Sequence, residues 1–157
     1  MSALTGMLLL SGSLFLSGHP IPTGRMTGGG WFVIGTAKVT HGFELHCETS
    51  DPPNNLEVNW GGNHFHLDTL TASNCFDTDP PPNPPAAPFS TLFGAGTGTF
   101  NGVPGAFINF GFSDHGEPGT DDSVLYIFIS DADGNMVLSG GPVLLGGGNH
   151  QAHKDNK

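Results

Sequence analysis

NNLEVNWGGNHFHLDTL, residues 54–70, alternates apolar and polar side chains on both sides of a Gly-Gly pair. Period-two alternation marks a half-buried β-strand, and glycine supplies the positive φ that a two-residue hairpin turn requires. Placing the turn at Gly61-Gly62 sets the register: Trp60 faces Asn63, Asn59 faces His64, Val58 faces Phe65 and Glu57 faces His66. Successive side chains on a strand point to opposite faces, so Leu56, Val58, Trp60, Phe65 and Leu67 form one apolar face. Glu57, Asn59, His64, His66 and Asp68 share the other.

Working outward, the same pattern recurs. Thr36 to Glu48 places Phe43, Leu45 and Cys47 inward, with His41 and His46 on opposite faces if no bulge forms at Gly42. Both histidines are read as structural. Before this strand, Gly28-Gly29-Gly30 predicts irregular backbone, with a strand beginning at Trp31. Gly96 to Phe100 and Val103 to Ser113 flank Asn101-Gly102, a strong hairpin signal. Ser123 to Ser130 (SVLYIFIS) is apolar on both faces, which predicts a place in the middle of the fold. Met136 to Leu138 and Val143 to Leu145 supply the last strands, and the polar stretch from Gly146 to Lys157 is expected to fray. Residues 76–93, FDTDPPPNPPAAPFSTLF, are rich in proline, which fixes φ and lacks an N–H. They are expected to form an extended loop, acting as a stiff connection between two sheets.

The chain has 157 residues, 25 of them Gly and 13 Pro, and no long segment has a helical apolar period. About nine short strands without crossover helices predict an all-β fold, a two-sheet antiparallel β-sandwich with a flattened β-barrel as the alternative. Residues 25–157 form one domain, preceded by an apolar segment at 1–24. That segment reads either as a secretory signal or as an assembly strand; it is too short and interrupted to span a membrane. The assembly reading rests on the likeness of Leu10–Gly18 to Leu138–Gly146, as if one copy's strand were added to a neighbour's sheet. Four Lys plus Arg against 14 Asp plus Glu give a net charge of −10, which argues against nucleic acid or an anionic membrane as partner and for cations. Cys47 and Cys75, the only cysteines, follow two different strands with no CxxC, which suits one disulfide and an oxidising compartment; two buried free thiols are the alternative.

Several motifs taken together carry a resemblance: Met26-Thr27-Gly28-Gly29-Gly30-Trp31, Thr40-His41-Gly42-Phe43, Leu45-His46-Cys47, Asn54 to Trp60 and Phe65-His66-Leu67. With Gly116-Glu117-Pro118-Gly119 and Gly148 to His153, they make residues 26–154 similar to the secreted bacterial post-COAP domain family. The resemblance implies a β-rich, extracellular domain often attached to larger surface proteins, and no established activity.

Three constellations are candidates for chemistry. Glu57, His64, His66 and Asp68 share a face and offer the nitrogen and oxygen ligands of a transition-metal site, although no third-ligand segment or complete hydrolase motif accompanies them. Asp114, Glu117, Asp121 and Asp122, with Asp131 and Asp133, lie on glycine-bearing loops as Ca²⁺ ligands do, although Asp-Gly turns need no metal. A hydrolytic triad is the weakest reading, since no GxSxG is present. Two functions follow. One is a secreted, non-catalytic module for extracellular assembly or surface attachment, with copies of itself or other surface proteins as partners. The alternative is a metal-dependent hydrolase centred on Glu57, His64, His66 and Asp68.

Overall fold

Ten strands arise from these alternations: β1 (Arg25–Ile34), β2 (Ala37–His46), β3 (Asn55–Trp60), β4 (Asn63–Phe76), β5 (Thr91–Phe100), β6 (Val103–Ser113), β7 (Ser123–Ser130), β8 (Met136–Gly140), β9 (Val143–Leu144) and β10 (Gly147–His153). They are seen in a computed structural model that describes residues 22–78 and 87–155. The leading apolar segment and its two readings lie outside the described residues, apart from residues 22–24. The fold is all-β and antiparallel, with no helix among the described residues.

The hairpin at Gly61-Gly62 has the expected register, from Trp60 opposite Asn63 to Glu57 opposite His66. Both turn glycines have positive φ, 52° and 83°, as a two-residue turn of this kind demands. Asn101-Gly102 closes the β5–β6 hairpin in the same way, with Phe100 opposite Val103.

The strands form one continuous sheet, ordered β10-β1-β2-β3-β4-β5-β6-β7-β8, with β9 beside β7. The two layers expected of a sandwich are therefore not separate sheets, and the sheet does not close into a barrel. Its two halves face each other: Phe43 of β2 stacks on Phe112 of β6 with ring centroids 4.6 Å apart. Strand β4 makes this possible. It is 14 residues long, pairs with β3 only through its first part, and carries register shifts at Leu67/Thr69 and Leu70/Ala72. Bulges bend a strand and increase its twist, so β4 turns the sheet over without breaking the ladder.

The core lies between the two halves. Phe32, Phe65, Phe110 and Phe112 are fully buried, each burial contributing about 1.5–3 kcal/mol. Room for these rings comes from β5, whose core-facing positions Gly94, Gly96 and Gly98 are glycine. A Cβ at Gly94 would meet the Phe110 ring, and one at Gly98 would collide with the His66 carbonyl oxygen and the Phe65 ring.

Four local expectations are corrected. Gly28 to Gly30 lie inside β1, because that strand sits under close neighbours: a Cβ at Gly30 would collide with the Gly147 carbonyl. The proline-rich stretch joins β4 to β5, adjacent strands that pair up to Phe76 and Thr91, so it closes a hairpin and does not connect sheets; residues 79–86 within it are not described. β7 lies next to the sheet's end, and its second apolar face is an outer surface rather than a second buried one. The polar tail is not frayed over 147–153: it is β10, paired to β1 from Gly147 to His153.

The last strands span the gap between the sheet's ends. β9 pairs with β7, Leu145 N–H donates to Asp122 O, Gly146 N–H donates to Trp31 O, and β10 then runs along β1. Cys47 and Cys75 form a disulfide, which ties the end of β2 to the end of β4.

Candidate functional site

The hairpin's polar face assembles as its register requires. Glu57 lies between the two imidazoles: one carboxylate oxygen meets His64 Nε2 and the other meets His66 Nδ1. Asp68 falls at a bulge of β4, where its Oδ2 accepts the Thr99 hydroxyl at 3.0 Å and its Oδ1 is 3.9 Å from His66 Nε2. The four side chains are 42–50% exposed, so water competes for every contact. A shallow groove of about 360 Å³ lies beside this patch, lined by Lys38, Thr40, Asn59 and His64. The carboxylate of Glu57 is directed at the two rings, and among the described residues no three His, Cys, Asp or Glu side chains are arranged to hold a metal ion. Neither ring receives a hydrogen bond from a serine, threonine or cysteine side chain among the described residues, the contact a nucleophile would need.

The acidic loop after β6 is a clasp for β10. Asp114 accepts Gly116 N–H at 2.7 Å on one oxygen and Ala152 N–H at 2.7 Å on the other. Asp122 does the same with His115 N–H at 2.8 Å and His150 N–H at 2.6 Å. Both carboxylates are buried, and burial pushes the Asp122 carboxyl above its ordinary range against the pull of those N–H groups. Glu117 accepts the side-chain amides of Gln151 and Asn149, which hold its carboxyl below the usual range, while Asp121 is exposed. Asp131 and Asp133 are elsewhere, beyond the far end of β7, roughly 25 Å along the strand. There Asp131 closes its own turn by accepting the N–H groups of Asp133 and Asn135. The second constellation is thus two separate turns.

A third cluster was not evident in the sequence. His41 of β2 and His150 of β10 meet in the core with Nε2 atoms 2.7 Å apart. His150 Nδ1–H donates to the Ser113 carbonyl at 3.0 Å, since a carbonyl only accepts. In the neutral pair His41 Nε2–H must then donate to His150 Nε2. Burial holds His41 down at about 4 and His150 at about 3, the nearby His41 adding to the effect on His150. His46, by contrast, donates from Nδ1 to the Pro53 carbonyl and is a structural residue, as expected.

The outer face of β4 to β7 carries a row of rings. Phe76 and Phe93 pack at 4.9 Å, Phe93 and Tyr126 stack at 5.5 Å across Gly111, and Tyr126 and Phe128 stack at 5.6 Å. Gly111 is what lets them meet, since a Cβ there would run into Phe93 and crowd Tyr126. Phe128 and the neighbouring Phe107 are 40% and 43% exposed.

No family model, curated protein or solved structure matches the chain. The reading of function therefore rests on these four features. Of the residues expected from sequence, Glu57, His64, His66 and Asp68 come together, Asp114 and Asp122 approach β10, and Asp131 and Asp133 stand apart. The aromatic row had a signal: a strand apolar on both faces implies either a second core or an exposed apolar surface. The His41–His150 contact had none, because the two residues lie 109 positions apart.

Proposed function

We propose that the protein is a secreted, non-catalytic module that attaches to an extracellular surface through the outer face of β4 to β7. The observation that carries this reading is the row Phe76, Phe93, Tyr126 and Phe128, which remains partly open to solvent on a protein of net charge −10. Exposed apolar area of this kind is a cost in water unless a partner covers it. The disulfide suits an oxidising compartment, and the resemblance to post-COAP domains points to the same location. The titratable clusters support a structural use of charge, since Asp114 and Asp122 bond backbone N–H groups and Glu57 bonds two rings.

The test is co-sedimentation of the purified, oxidised protein with washed cells of its source organism. The wild-type chain is expected in the pellet, and the Tyr126→Ala/Phe128→Ala variant at least tenfold depleted there with an unchanged melting temperature. Equal sedimentation of the two proteins would overturn the reading.

A further inference from the structure

We infer that the ligand of this outer face is a neutral polysaccharide; the inference rests on the attachment reading above and names what is attached to. Two rows of residues run across the strands on this face. One is Asn74, Phe93, Gly111 and Tyr126; the next is Ala95, Asn109, Phe128 and Ser139. Neither contains a charged residue, although the protein as a whole carries 14 acidic side chains.

That combination selects a ligand chemistry. A nucleic acid or an anionic glycan would meet the field of a net charge of −10 with no local cation to offset it. A basic peptide would find no carboxylate within these rows. What fits is an uncharged molecule with apolar surface and hydroxyl groups side by side. A sugar ring is such a molecule: its C–H groups pack on an aromatic ring, whose π face is electron-rich, and its hydroxyls need amide or hydroxyl partners.

The geometry offers both. Beside the stacked rings lies a cleft of about 210 Å³ bordered by Phe93 and Tyr126 together with Ser73, Asn74 and Asn109. Neither side-chain amide is hydrogen-bonded to another of the described residues, and each presents donors and an acceptor. The cleft is smaller than the roughly 300 Å³ at which pockets begin to enclose whole drug-sized ligands, so it suits one ring of a longer chain. The aromatic row crosses from β4 to β7, roughly 14 Å at three strand spacings.

Retention on insoluble cellulose, chitin and starch, with the purified disulfide-intact protein, tests the inference. At least one of the three is expected to retain it, with binding unchanged by 0.5 M NaCl because no ion pair is involved. Tyr126→Ala should weaken retention at least tenfold. Because Tyr126 also packs within the row, Asn109→Ala is a second variant that leaves the rings in place; it should weaken retention about three- to tenfold, with the wild-type melting temperature. Failure of all three polysaccharides to retain the protein, loss of binding in salt, or wild-type retention by both variants would overturn the inference. If the protein still sediments with cells through Tyr126 and Phe128 while ignoring all three polysaccharides, attachment stands and the glycan assignment falls.

Discussion

At the scale of single residues, the buried imidazole pair sets a pH dependence. His41 and His150 stay neutral in the folded protein, while in the unfolded chain both return to about 6.5. The unfolded state therefore binds more protons than the folded one below pH 6.5, and stability must fall with pH from there until the folded values of about 4 and 3 are reached. Asp122 works in the opposite direction, since its raised pKa lets the folded state take up a proton first. Asp114 faces the same strand with both oxygens on N–H groups. Chemical denaturation is expected to give a stability at pH 5 lower than at pH 7.5 by on the order of a few kcal/mol. In His41→Phe that slope should flatten, because removing one ring also removes its effect on the other. A wild-type slope in His41→Phe would refute the assignment. Sequence could supply the parity that turned His41 inward; it could not supply His150, whose partner arrives from the opposite end of the chain.

At the scale of the strand, β5 shows how glycine can be a packing residue. Read along the chain, TLFGAGTGTF has alternating glycines that lower β propensity, yet it pairs with both neighbours over its length. The reason is steric. Large side chains from β4 and β6 lie over Gly94, Gly96 and Gly98, so the missing Cβ atoms are volume already occupied by Phe110, Leu67 and Phe65. Gly98→Ala is expected to cost roughly 2–4 kcal/mol, because the obstacle includes the His66 backbone and cannot rotate aside. Gly42→Ala, where an added Cβ meets nothing within 4 Å, should be neutral or stabilising by about 0.5 kcal/mol. Similar melting temperatures for the two variants would contradict this account. Hairpins were legible in the sequence because turn and register are local properties of a few residues. The joining of the layers was not, because it depends on the bulges at Leu67/Thr69 and Leu70/Ala72, which no residue pattern in β4 announces.

At the scale of the whole molecule, an open sheet has two terminal strands, and unpaired edges invite the addition of another chain's strand. β10 ends the sheet on one side, but the N–H groups of His150 and Ala152 already donate to Asp122 and Asp114. Two buried carboxylates thus block the positions that an incoming strand would need. β8 ends the other side, and among the described residues no strand pairs along its outer edge. Among the described residues, β8 is thus the sheet edge left open to strand addition. The acidic clasp therefore occupies the β10 edge as well as holding that strand in place. Asp114→Ala leaves Ala152 N–H without its acceptor and frees part of the β10 edge, at a cost of about 1–3 kcal/mol for the lost buried bond. Sedimentation velocity across a hundredfold range of concentration is expected to show added concentration-dependent association in Asp114→Ala relative to the wild-type chain. Asp131→Ala, which opens only a surface turn, should sediment as the wild type does. If Asp114→Ala is destabilised yet sediments like the wild type at every concentration, Asp114 holds β10 in place without guarding its edge.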